Sequence, residues 1–425
     1  MPQSFGRDTQ SAIYRDGATG RSPLVPAGWH ELEAAAQKSM SSVAWAYVAG
    51  SSGAEVTAAN NRRALDRWSI VPRMLRDVSD RDLGIELFGT RYPSPVIAAP
   101  VGVLELAHRD ADLGIARAAS RLGVPYVMSS QASVPMERVA EVMDDAPRWF
   151  QLYWSSSDDL VASFVSRAER AGASAIVVTL DTHMLGWRPR DLDAAYLPFI
   201  RGQGIAQYTS DPVFDSLVDA RLANPTPPAQ KPRISPATVR TLLDMTRNYP
   251  GPFFSNLRTG RPRAAVETFL DVFSRSSLTW ENLTFLRERT TLPILLKGIQ
   301  HPDDARLALD HGVDGLVVSN HAGRQIDGAI GSLDALGPIV AEVKGRIPVL
   351  FDSGVRSGAD VFKAIALGAS AVLVGRPYTY GLAVGGSEGA EAALRNIIAE
   401  FDLVLGLSGH RSVAEVSVTS LVPAG

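Results

Sequence analysis

The chain has no cysteine among its 425 residues. Disulfides, thiolate nucleophiles and cysteine-held metal or iron–sulfur centres are thereby excluded, and a cytoplasmic setting is the expectation. No run of about 18 apolar residues occurs, so no membrane span is expected. Charge of one sign is also lacking. Lys and Arg number 42 against 45 Asp and Glu, a net of -3, too balanced to recruit nucleic acid or an anionic membrane. The seven histidines show no zinc-type spacing, so no metal is expected. Residues 1–28 lack the apolar core of a signal peptide, and Asp8 and Asp16 argue against a transit peptide. Polar and Gly-rich, they read as a flexible N-terminal arm.

What is present is a rhythm. Hydrophobic residues make up 45% and charged residues 20%, ordinary for a protein with a sizeable core. Apolar residues at helical spacing from Trp29 to Ala49 (Leu32, Ala35, Val43, Ala46, Tyr47) predict a helix that breaks at Gly50-Ser51-Ser52-Gly53. From Pro95 onward, short Val/Ile/Leu-rich runs alternate with amphipathic stretches: 95–100, 126–130, 149–153, 175–181, 293–298, 315–320, 349–354 and 371–376. Eight such units predict an α/β fold, a closed (β/α)8 TIM barrel with an N-terminal helical extension. One domain over 29–425 is expected. A long insertion after strand 4, about 186–278 and carrying Pro225-Thr226-Pro227-Pro228, far exceeds a normal βα loop and reads as a lid or an oligomer contact.

Barrel enzymes place their sites at the C-terminal ends of the strands, and every run ends in residues fit for chemistry. Ser319-Asn320-His321-Ala322-Gly323-Arg324-Gln325 offers a base and a cation together. Asp352-Ser353-Gly354-Val355-Arg356 and Gly375-Arg376 pair small residues with arginines after the last two strands, where barrel enzymes grip phosphate. Lys297 closes an otherwise apolar run and needs a partner. It fits a Schiff-base former, a solvated rim residue or a cation beside an electron-rich cofactor. With Gln151, Thr179 and Ser319 around the rim, flavin mononucleotide suits these groups, and a sugar or nucleoside phosphate is the alternative. Arg324 and Arg188 match a carboxylate, Asp181 could orient His321, and Tyr47 and Tyr153 could donate hydrogen bonds.

These residues resemble the FMN-dependent α-hydroxy-acid oxidases and dehydrogenases, through Ser319-Asn320-His321-Ala322-Gly323-Arg324-Gln325 above all. Ala322 stands where the family usually has glycine. Gly186-Trp187-Arg188-Pro189-Arg190-Asp191-Leu192, Asp211-Pro212-Val213-Phe214 and Lys297-Gly298-Ile299-Gln300-His301-Pro302 are most similar to the lactate 2-monooxygenase branch, while Gln131 and His183 sit where relatives vary with substrate. The resemblance implies FMN as cofactor and an L-2-hydroxy acid and O2 as small-molecule partners. Products would be a 2-keto acid with peroxide, or an acid decarboxylated in place. It makes His321 the base, supported by Asp181 and Tyr153. Tyr47, Tyr153, Arg188, His321 and Arg324 would hold substrate. Ala98, Ala99, Pro100, Ser129, Gln151, Thr179, Lys297 and Ser319 would contact the flavin, and Asp352, Ser353, Gly354, Val355, Arg356, Gly375 and Arg376 its phosphate arm. A homo-oligomer, a tetramer or larger, is implied as well.

Overall fold

The computed structural model describes residues 4–224 and 235–424. Eight parallel strands close into a barrel: β1 (Val96–Ala98), β2 (Tyr126–Met128), β3 (Arg148–Leu152), β4 (Ile176–Thr179), β5 (Ile294–Ile299), β6 (Gly315–Val318), β7 (Val349–Phe351) and β8 (Ala371–Val374). Each lies within or against a run expected from sequence.

Because side chains alternate along a strand, the barrel sorts its residues into two sets. Val96, Met128, Phe150, Leu152, Val178, Leu296, Val318, Phe351 and Val374 belong to the core shared with the surrounding helices. Ile97, Val127, Trp149, Val177, Leu295, Val317, Leu350 and Leu373 form a separate inner cluster. An antiparallel hairpin, Ile85–Leu87 with Thr90–Tyr92, adds Ile85, Leu87 and Tyr92 to that cluster. Trp149 receives Phe88 edge-on at 5.9 Å and Tyr92 at 6.4 Å. The interior is thus a packed apolar column, closed at one end by the hairpin.

The N-terminal segment departs from the flexible arm expected. Phe5–Ala18 is a helix, capped by Ser4, whose hydroxyl accepts from the Arg7 amide. Gly6 is buried, and a methyl there would come within 2.5 Å of the Ala399 carbonyl. Its lack of a side chain is therefore used for close approach to the long C-terminal helix, Arg376–Leu407. Asp402 ties the contact, accepting from the Gly6 amide at 2.7 Å and from Arg81 Nε at 2.7 Å. The single helix predicted over 29–49 is two, Trp29–Ser39 and Ser42–Ala49. Ser41 is extended and its hydroxyl accepts from the Ala44 amide, restarting the helix as an N-cap.

The insertion is helical over its described residues: Pro189–Asp193, Ala206–Thr209, Pro212–Ala223, Pro236–Asn248, Phe253–Leu257 and Arg261–Val272. Pro225-Thr226-Pro227-Pro228 lies outside the described residues. Phe199, Tyr208, Phe214 and Phe269 are buried together, with Tyr208 meeting Phe269 at 4.8 Å and Phe214 at 5.6 Å. Arg167 fastens this wall to the barrel's helix layer, donating to Gln207 O at 2.7 Å and to Asp211 at 3.0 Å. The chain's tail, Leu421–Pro423, pairs antiparallel with Trp68–Ile70. Among the described residues no helix is long and apolar enough to cross a membrane.

Candidate active site

Two residues beyond the inner apolar cluster, each strand delivers one more inward position: Ala99, Ser129, Gln151, Thr179, Lys297, Ser319, Asp352 and Gly375. All but half-buried Gly375 are buried, and the polar groups satisfy one another. Ser129 donates to Gln151 Oε1 at 2.9 Å, and Gln151 Nε2 donates to Thr179 at 2.9 Å. Lys297 Nζ donates to Ser319 Oγ at 2.8 Å and lies 3.1 Å from Asp352 Oδ2. Burial works against the Lys297 charge, but Asp352 and Asp181 outweigh it and hold the ammonium above the ordinary lysine range. A Schiff-base lysine needs the opposite shift, so that reading is not supported.

This layer floors a cavity of about 610 Å³, within the range of small-molecule and cofactor sites. Ala99, Pro100, Gln151, Lys297, Asp352, Ser353, Gly354, Val355, Arg356, Gly375 and Arg376 line it, as do Tyr47, Tyr153, Arg188, His321 and Arg324. Ser129, Thr179 and Ser319 do not line it; they sit among the buried residues that brace Gln151 and Lys297. Ala98 is a correction: its methyl belongs to the core facing the helices, because strand alternation gives the inward place to Ala99. Of the two variable positions, Gln131 lines the cavity, whereas His183 is exposed with Nδ1 3.1 Å from Leu180 O.

His321 leaves the β6 end in a left-handed turn, with φ of 55° at both His321 and Ala322. At position 322 this conformation costs a residue with a Cβ about 1 kcal/mol or more. The turn is held from three sides. Asn61 and Asn320 exchange side-chain hydrogen bonds at 2.9 and 2.6 Å, Ser353 Oγ accepts from the Ala322 amide at 3.0 Å, and Gln325 Nε2 donates to Met184 O at 2.9 Å. Gly186 packs so closely beneath that a methyl would lie 2.6 Å from the Arg324 carbonyl.

Asp181, on the loop after β4, accepts from His321 Nδ1 at 2.8 Å. Burial lowers the His321 pKa below its usual 6.5, helped by Lys297 and Arg324 and resisted by Asp181. Burial also acts on Asp181, but His321 and Lys297 keep it below the ordinary carboxylate value. The pair is therefore a neutral imidazole on an ionised acceptor. Nδ1 carries the proton, and Nε2 keeps its lone pair as a base.

Above the floor stand two cations, Arg188 buried and Arg324 half-buried. Arg324 donates through Nη1 to the Tyr47 and Gly50 carbonyls at 2.6 and 2.8 Å, at the C-terminal end of the Ser42–Ala49 helix. Burial and the neighbouring Arg188 push its pKa down to about 10, so it stays charged at neutral pH. Arg188 Nε and Nη1 are buried with no hydrogen-bond partner. Both guanidiniums flank the Tyr47 ring, at 5.0 Å for Arg324 and 5.7 Å for Arg188. Burial, with Asp181, raises the Tyr153 pKa, keeping its phenol protonated and able to donate.

At the β7 and β8 ends three arginines converge. Arg62, which sequence did not reveal, donates to Gly354 O at 2.6 Å and to Asp360 at 2.7 Å. Arg356 lies 4.6 Å over the Trp29 ring, and burial, Arg62 and Arg376 depress its pKa. Arg376 spends Nη2 on Gly50 O at 3.0 Å and Ser51 at 3.2 Å. Crowded cations beside glycine-containing loops suit a phosphate, and a buried amide and ammonium suit the polar edge of a flavin ring. The residues present fit FMN. No group of three or more metal-binding side chains occurs among the described residues.

Comparison with known proteins agrees. The chain is 43% identical over 415 residues to an FMN-dependent alpha-hydroxy acid dehydrogenase of Penicillium citrinum, covering 97% of this chain and 95% of that one. It is 41% identical to an L-lactate oxidase of Lysinibacillus sphaericus, covering 97% of each. A crystal structure of mandelate oxidase superposes with a TM-score of 0.74 at 35% identity, over 94% of this chain and 99% of that one. Residues 36–423 match the FMN-dependent dehydrogenase family, and with its barrel and cavity the chain belongs to that family.

Proposed function

We propose that the chain oxidises an L-2-hydroxy acid to the 2-keto acid, with O2 as final electron acceptor. The observation that carries this reading is a neutral base, His321, in the same cavity as two buried donors of Arg188 that have no hydrogen-bond partner. A base beside a carboxylate site is what a 2-hydroxy acid requires. Arg188 and Arg324 take the carboxylate, and Tyr47 and Tyr153 donate to the carboxylate and hydroxyl. His321 Nε2 accepts a substrate proton, and Asp181 stabilises the imidazolium that results. Gln151 and Lys297 would hold the flavin ring, and Arg62, Ser353 to Arg356, Gly375 and Arg376 its phosphate arm. Bound FMN supplies the two-electron acceptor.

Leu185, Phe199 and Phe273 line the same cavity and favour an apolar substituent on the acid. L-Lactate is the leading substrate and L-mandelate the second. A further reading, decarboxylation of the keto acid in place, draws on the packed insertion wall: Phe199 and Phe273 come from that segment, which could retain the product. Anaerobic titration of the holoenzyme with each acid, followed by air, tests all of this. Bleaching of the flavin is expected. Pyruvate with peroxide would mark an oxidase, and acetate with carbon dioxide the retained-product route. A yellow protein bleached by no 2-hydroxy acid would overturn the proposal.

A further inference from the structure

Asp191 lies one turn beyond Arg188, on the short helix Pro189–Asp193 that Arg188 caps. Its Oδ2 is 3.4 Å from Arg188 Nη1, an ion-pair distance without a hydrogen bond, and its side chain is only 11% exposed. Among the described residues, Arg188 is its one salt-bridge partner. Arg324 is the cation that acts on it most strongly, followed by Arg188, yet burial still holds its pKa above the ordinary aspartate value. Other buried carboxylates here are held differently. Asp181 and Asp352 have short partners at 2.8 Å in His321 and Ser353, and Asp402 has several. Asp191 is thus a loosely held anion beside buried Arg188, which keeps two donors without a hydrogen bond, and within the field of half-buried Arg324.

Resting on the function proposed above, we propose that Asp191 is the resident counter-ion of the carboxylate site and selects ligands carrying a single negative charge. Two guanidiniums against one aspartate leave one positive charge for a ligand. A monocarboxylate neutralises it. A dicarboxylate brings a second charge, which Asp191 repels from beside Arg188 in poorly screened surroundings. Asp191 does not touch the reacting atoms and is a positioning residue.

The test uses FMN-loaded wild-type protein, Asp191→Asn and Asp191→Glu, with the perturbation of the flavin spectrum as readout. Acetate and propionate serve as monoanions and malonate as a dianion, each titrated without turnover. Asp191→Asn should tighten malonate relative to acetate by about tenfold or more, the size of one uncompensated charge in such a pocket. Asp191→Glu, keeping the charge, should retain the wild-type ratio. An unchanged malonate-to-acetate ratio in Asp191→Asn would overturn the inference, whether both ligands bind as before or both bind weakly, since a scaffold role predicts no dependence on ligand charge. The two proposals fail separately. If wild type is bleached by L-lactate but the ratio does not move, only the role of Asp191 falls. If wild type is neither bleached by hydroxy acids nor perturbed by any of the carboxylates, the substrate reading falls with it.

Discussion

Two successive layers of the barrel interior, two residues apart on every strand, share backbone, burial and neighbours but little else. The lower one, from Ile97 through Leu373, is apolar throughout and joined by the hairpin. The upper one holds Gln151, Thr179, Lys297, Ser319 and Asp352, nearly as buried. What separates them is how each meets the cost of burial. The lower layer has no polar group to satisfy except the Trp149 indole N–H, which has no partner. The upper layer satisfies its polar groups in pairs, which leaves a charged but neutralised floor under the cavity. Above it, Arg188 keeps two buried donors without a hydrogen-bond partner. Stability and chemistry are therefore assigned to adjacent levels of one column.

The sharpest way to break this contrast is to substitute one strand at both levels. Lys297→Met strips the cationic partner from buried Asp352 and should cost about 3–5 kcal/mol of unfolding free energy, together with weaker FMN retention. Leu295→Ala, two residues earlier, should cost about 2–5 kcal/mol through the cavity it leaves, while flavin reduction proceeds at its original rate. Denaturant unfolding and anaerobic flavin reduction on both variants check the division; a Leu295 variant with normal stability and crippled reduction would reverse it.

Asp181→Asn probes the level above. Reduction by a hydroxy acid should slow by about 100-fold, the lower part of the range for general-base catalysis. The pH profile carries the sign. With His321 as the proposed neutral base, activity should fall as pH drops through its pKa, which burial lowers from the usual 6.5. Asp181 raises that pKa, so its removal should move the acid limb to still lower pH. A limb that moves upward would contradict the electrostatic assignment. The smallest effect belongs to Ala322. With φ of 55°, Ala322→Gly should stabilise the fold by up to about 1 kcal/mol, read as a higher midpoint in thermal unfolding.

Much of this was legible in sequence because it is periodic. Eight apolar runs with polar ends give the strands, and each upper-layer residue lies one or two positions before the end of its run. Ala98 shows how fine that reading must be, since a one-residue shift in parity sends a side chain to the helices. What escaped depends on contacts between distant segments. Nothing near Gly6 announces Asp402, and nothing in the Val56–Asp66 helix marks Arg62 as a neighbour of Gly354 or Asn61 as the partner of Asn320. The break at Ser41 did leave a local sign, a serine N-cap, masked by apolar spacing that continues through it.

The most direct test of the account is single-turnover reduction of FMN-loaded His321→Ala by the acid that bleaches wild type. The account predicts a variant that retains FMN and binds carboxylates, yet is reduced about 10³-fold more slowly or worse. Reduction at the wild-type rate, with FMN bound and the fold intact, would remove His321 from the chemistry and contradict the central claim.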